Sequence, residues 1–141
     1  MEKFPTVVGD LMSSPVIKID YDANVRDASL LMKDKEIGSL IVTHRGMPVG
    51  ILTERDLLER VVAFCRDPCD TRVGEVMSSP IISIERDQGI LVAIRQMRQE
   101  DIGRLVVTDG EEVIGVVSEK DILRGVSLAS LTSFSTLLRI S

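Results

Sequence analysis

Two hydroxyl–carboxylate pairs, Thr53 with Asp56 and Ser118 with Asp121, carry the most specific chemistry in the sequence. Each follows an apolar run, Gly50-Ile51-Leu52 or Gly115-Val116-Val117, where a strand gives way to a helix and the hydroxyl residue is the N-cap. Two uses of each pair are open. The aspartate at the third helical position can return a hydrogen bond to the cap residue and close a capping box. Alternatively, the N–H groups of the turn and the positive end of the helix suit a phosphate, while the carboxylate suits the two hydroxyls of a ribose. Arg55 and Lys120 occupy equivalent places on the first helical turn, where each either balances phosphate charge or faces solvent.

Other reactive side chains do not converge on a catalytic group. His44 falls in a hairpin turn, and no Ser or Cys is tied to it by a nucleophile motif. Cys65 and Cys69 with a distant His44 offer too few zinc ligands at unsuitable spacing. The two cysteines flank a helix end broken by Pro68, so they are either two free thiols or a short disulfide. No metal site and no enzyme activity are expected.

The hydroxyl–carboxylate stretch is one part of a larger duplication. Gly50–Asp56 returns as Gly115–Asp121, 65 residues later, and Val8–Pro15 and Ile37–Val42 return at the same offset as Val73–Pro80 and Ile102–Val107. Laying 8–60 on 73–125 without a gap gives roughly 20 identities over about 53 positions, so one structural unit is written twice. The copies differ near the pairs: Arg104 replaces Ser39, and Lys18 replaces Ser83. A unit of about 60 residues is marginal alone, and two together close a proper core. The expected organisation is a lead-in over 1–7, units over 8–66 and 73–128, a linker over 67–72 and an apolar, Ser-rich tail over 129–141.

Composition narrows the partners. The 141 residues carry 22 acidic and 17 basic side chains, a net charge of −5, which disfavours nucleic acid and anionic membranes. Aromatic residues are few, Phe4, Tyr21, Phe64 and Phe134, too few for a base-stacking platform. With neither a membrane-length apolar run nor a signal-peptide pattern after Met1, the chain reads as soluble and cytoplasmic.

The elements that must position the pairs are legible in outline. Val8–Met12 reads as a helical turn broken by Ser13-Ser14-Pro15 before a strand Val16–Ile19. Asn24-x-x-Asp27 opens a helix whose Val25, Ala28, Leu31 and Met32 share an apolar face, matched by Ile90, Ala93, Ile94 and Met97. Ser39–Thr43 with Val49–Leu52, and Arg104–Thr108 with Val113–Val117, read as hairpins. A helix from about Glu54 to Phe64, ended by Asp67-Pro68, follows the first pair, and one from Glu119 to about Leu128 follows the second. Phe4 is expected to dock on the domain. Leu128, Leu131, Phe134, Leu138 and Ile140 form one apolar face of the tail, which covers a neighbouring surface.

This order of Ser-Pro, strand, helix, Gly-x-Leu-x-Val strand, turn and Gly-x-x-Thr/Ser-x-x-Asp resembles the CBS domain, the cystathionine β-synthase regulatory module, as a tandem pair over about 8–125. The resemblance implies an α/β (α+β) fold of two β-α-β-β-α units packed about a pseudo-twofold axis into one domain, with two clefts for adenosyl ligands. It assigns the ribose to Thr53 with Asp56 and to Ser118 with Asp121. It lays the adenine against the first strands, at Val16 and Ile17 and at Ile81 and Ile82. The function so implied is a non-catalytic regulatory module that binds an adenine nucleotide, AMP above ADP or ATP, with no obligatory cofactor. S-adenosylmethionine binding, or a dimerisation module with vestigial sites, stays open beside it. A homodimer is expected because the helices after the two pairs, led by Leu57, Leu58 and Val61 and by Ile122, Leu123 and Val126, keep apolar faces. No effector domain is recognisable, so the module either regulates a separate effector protein or buffers or reports a nucleotide.

Overall fold

A computed structural model describes residues 7–127. The expectations for Phe4 and for the apolar face of the tail lie outside these residues. The described chain forms two three-stranded sheets with helices, the α+β class expected.

The first sheet holds β1 (Lys18–Asp20), β2 (Ser39–His44) and β3 (Met47–Thr53) in that order. β1 runs parallel to β2, with α1 (Val25–Lys35) as the crossover, and β2 pairs antiparallel with β3. Asn24 caps α1 by accepting a hydrogen bond from the Asp27 amide at 2.8 Å. Arg45 and Gly46, both at positive φ (53° and 78°), make the tight turn between β2 and β3. The second sheet repeats the order with β4 (Ser83–Glu85), α4 (Ile90–Glu100), β5 (Arg104–Asp109) and β6 (Glu112–Ser118). α4 lacks a side-chain cap, since Gly89 stands where α1 has Asn24.

The strand expected at Val16–Ile19 begins only at Lys18; Val16 and Ile17 are half-buried chain leading into it. The helix after Thr53 is also shorter and wider than its sequence suggests. α2 covers Glu54–Leu57 and opens into a π turn over Leu58–Val62. It is ended by Cys65 in the left-handed region (φ 54°), with Cys65 N–H on Val62 O and Arg66 N–H on Val61 O, before Pro68 is reached. The helix after Ser118, α5, is regular over 119–127.

The compact units are offset from the sequence repeats. One unit is Val16–Ile82, and the other joins residues 7–15 to residues 83–127. Backbone pairing explains the exchange. Ser13 pairs with Val116, donating to it at 2.8 Å, and Val8 and Gly9 donate to Gln88 and Arg86 carbonyls at 2.9 Å. In the Val16–Ile82 unit, Ser78 pairs with Ile51, donating at 2.8 Å and accepting at 3.0 Å. Each repeat's lead segment therefore completes the sheet edge of the other repeat.

The cores follow this exchange. In the Val16–Ile82 unit Val25, Ala28 and Met32 of α1 pack on Leu40, Val42 and Leu52, and Val73 and Val76 of α3 (Val73–Val76) close the cluster with Val61. In the other unit Val8, Ala93, Met97, Leu105, Val107, Val117 and Ile122 are buried. Burying each such aliphatic side chain contributes about 1.5–3 kcal/mol, so the lead segments are structural members of their adopted units.

Candidate functional site

At the end of β3 the chain reaches Thr53 in extended conformation (φ −119°, ψ 165°) and turns into α2. Thr53 Oγ1 accepts from the Asp56 amide at 3.2 Å, and Asp56 Oδ2 accepts from the Thr53 amide at 2.9 Å and from Thr53 Oγ1 at 3.1 Å. Ser118 and Asp121 repeat the arrangement: Asp121 N–H donates to Ser118 Oγ at 3.1 Å and Ser118 N–H to Asp121 Oδ2 at 2.9 Å. Both pairs are thus capping boxes. Each box occupies Oδ2 and leaves Oδ1 to be accounted for separately.

The two Oδ1 atoms have different surroundings. Asp56 Oδ1 accepts from Ser78 Oγ at 2.7 Å, and Arg60 Nη1 stands 3.9 Å away. Asp56 is only 5% exposed. Asp121 is half-buried, and its Oδ1 accepts no hydrogen bond among the described residues. Arg60 itself donates to Val76 O at 3.2 Å and Met77 O at 2.7 Å, fastening the end of α3. At the position equivalent to Arg60 stands Gly125, against the Leu11 side chain.

The helix starts offer fewer free donors than the sequence suggests. Glu54 N–H donates to Gly38 O at 3.2 Å and Glu119 N–H to Gly103 O at 3.0 Å, while the third amide of each turn is on the cap hydroxyl. Positive charge for a phosphate must come from side chains. Arg55 Nε is engaged with Glu59 Oε1 at 3.1 Å on an exposed helix face. Lys120 is exposed and forms no ion pair among the described residues. Arg104 begins β5 directly opposite Ser118, as Ser39 stands opposite Thr53, so the second pair alone has an arginine across from its cap. Lys18 begins β1, exposed, with Ile41 as its register partner.

Ile81 and Ile82 are half-buried and lie in the Val16–Ile82 unit, on the chain that Ser78 attaches to β3. They therefore share a unit with Thr53 and Asp56, although in sequence they open the second repeat. His44 is exposed at its hairpin, its ring 4.9 Å from that of Tyr21. Cys65 and Cys69 are free and exposed, Cys65 in its left-handed helix end and Cys69 in a turn whose amide donates to Asp67 Oδ1 at 2.9 Å. Sequence reasoning missed Ser78 and Arg60. The signal available was the divergence of Arg60 from Gly125 just beyond the matched Gly50–Leu58 and Gly115–Leu123 stretches.

The CBS domain family model matches residues 8–63 and 73–128. The chain belongs to the CBS domain family. Among curated relatives, an uncharacterized protein of Methanopyrus kandleri is 34% identical over 83% of this chain, which spans 61% of that protein's length. The CBS domain-containing protein YhcV of Bacillus subtilis is 32% identical over 82% of this chain and 81% of its own. Among solved structures, the hexameric CBS-CP12 protein from bloom-forming cyanobacteria superposes with a TM-score of 0.79 at 36% identity, covering 83% of this chain and 66% of that one. CBS pairs are typically regulatory ligand-binding modules. No helix among the described residues is long and apolar enough to cross a membrane.

Proposed function

We propose that this CBS pair is a ligand-sensing regulatory module that binds an adenine nucleotide, AMP before ADP or ATP, at the Ser118–Asp121 and Thr53–Asp56 turns. The observation that carries the reading is Asp121. Its carboxylate serves the cap with one oxygen and leaves the other without a protein donor among the described residues, half-buried, where a ribose hydroxyl can donate to it. Arg104, across from Ser118, and Lys120, on the first helical turn, supply cations to an otherwise acidic chain. With few aromatic residues, the base would lie between aliphatic side chains, of which Val16, Ile17, Ile81 and Ile82 are half-buried.

The module acts as a homodimer in this reading. Leu58 and Val62 after the first turn are 62% and 65% exposed, and Leu123 and Val126 on α5 are 68% and 42% exposed. Apolar helix faces of this kind mark association surfaces. Signal would pass to a separate effector protein through the ligand-dependent state of the pair.

A thermal-shift panel of AMP, ADP, ATP, NAD(H) and S-adenosylmethionine tests the ligand. AMP should raise the midpoint most, because a ligand at about 100 times its dissociation constant adds about 2.7 kcal/mol to the folded state. A shift from S-adenosylmethionine alone would reassign the sites, and no shift from any of the five would leave a module with vestigial sites.

A further inference from the structure

We infer that Ser78 is a built-in competitor for the ligand at the Thr53–Asp56 turn, so that the two sites fill in order, with Ser118–Asp121 first. The inference rests on the ribose reading of the two aspartates. Ser78 Oγ donates to Asp56 Oδ1 at 2.7 Å, taking the oxygen that Asp121 keeps open. A carboxylate oxygen can accept two hydrogen bonds. Asp56, however, is 5% exposed, so a ribose hydroxyl reaches Oδ1 only if Ser78 withdraws.

Ser78 is also held in place from both sides. Its backbone pairs with Ile51, and the two residues before it are fastened by Arg60, whose Nη1 binds Val76 O and Met77 O. Ser13, one repeat earlier, makes the same backbone pair with Val116. Yet its hydroxyl is exposed and donates to no carboxylate among the described residues, and Gly125 stands in place of Arg60. The same Met-Ser-Ser-Pro segment is therefore latched over one aspartate and only docked beside the other. Ligand binding at Asp56 must displace a protein hydroxyl held in place by its own segment, whereas at Asp121 it displaces only solvent.

The test is calorimetric titration of AMP into Asp121→Asn, which weakens the Ser118–Asp121 site and so brings the Thr53–Asp56 site to the fore, with and without Ser78→Ala. Removing the competing hydroxyl should tighten AMP by about 5- to 20-fold in that background, while the ligand-free protein melts lower because Asp56 has lost a donor. Ser78→Thr, which restores a hydroxyl, should return the affinity toward that of Asp121→Asn alone, and Ser13→Ala should leave it unchanged. If Ser78→Ala weakens AMP or leaves it unchanged while Asp56→Asn still removes binding, Ser78 is not a competitor, and the ribose reading survives without it. If neither Asp56→Asn nor Asp121→Asn alters AMP affinity, the ribose reading falls and this inference with it.

Discussion

Gly50 lies flush against Met77: a Cβ on the glycine would stand 2.7 Å from the methionine sulfur and 2.7 Å from the Ser78 carbonyl oxygen. Gly115 meets Met12 and Ser13 in the same way, at 2.7 and 2.9 Å. The glycine of each Gly-x-x-Thr/Ser-x-x-Asp stretch therefore admits the backbone of the other repeat's lead segment. Gly50→Ala or Gly115→Ala should destabilise by about 1–3 kcal/mol through overpacking against backbone that cannot yield. Urea unfolding measures this, with Arg95→Ala, on the exposed face of α4, as a surface control expected to change stability by less than about 0.5 kcal/mol. Equal midpoints for Gly50→Ala and wild type would show that the lead segment is not seated there.

Much of this fold was legible because its signals are local. Asn24 before an apolar stripe gave α1, Arg45-Gly46 between β-branched runs gave a hairpin turn, and the hydroxyl–carboxylate spacing gave both capping boxes. What escaped depends on the neighbours a segment finds. Ser13 and Ser78 sit in identical Met-Ser-Ser-Pro segments, and only the docking of Ser78 beneath Arg60 puts its hydroxyl on a carboxylate. The exchange of lead segments has the same origin, since periodicity shows that Val73 and Val76 are apolar but not which sheet buries them. Glu36 and Asp101 end their helices in the left-handed region (φ 55° and 52°) without the glycine that marks such ends.

Acid should weaken the Val16–Ile82 unit through Glu75. The Arg72 amide, donating to Glu75 Oε2 at 2.7 Å, and the Arg66 guanidinium, 3.2 Å from Oε1, hold its carboxyl below the ordinary value of 4.5. A carboxylate with a depressed folded-state pKa stabilises above its unfolded pKa, and that contribution is lost as pH falls through the folded one. Melting temperatures of wild type and Glu75→Gln should differ at pH 7, and the difference should shrink as pH falls below 4.5 through the lower folded-state value. A difference that persists undiminished at pH 3 would assign the effect to packing.

Self-association should depend on the exposed apolar residues of the two helix faces. Light scattering of wild type should give twice the chain mass at micromolar concentration, and Leu58→Glu with Leu123→Glu should shift it toward the monomer, because like charges would meet in a desolvated interface. A monomer mass for wild type, or an unaltered dimer in the double variant, would place the interface elsewhere.

The most direct test of nucleotide binding at the two turns is titration of AMP into wild type, Asp56→Asn, Asp121→Asn and the double variant, with unfolding curves alongside. Asparagine keeps an acceptor for the cap, so stability should change by less than about 1 kcal/mol in Asp121→Asn, and by more in Asp56→Asn, whose buried carboxylate also accepts from Ser78 Oγ. A ribose held by the carboxylate loses a charge-assisted bond of about 1.5–3 kcal/mol, so affinity at the altered site should fall about 10- to 150-fold, and binding should vanish from the double variant in the accessible range. Wild-type affinity in the double variant would contradict the assignment and reduce Thr53–Asp56 and Ser118–Asp121 to helix caps.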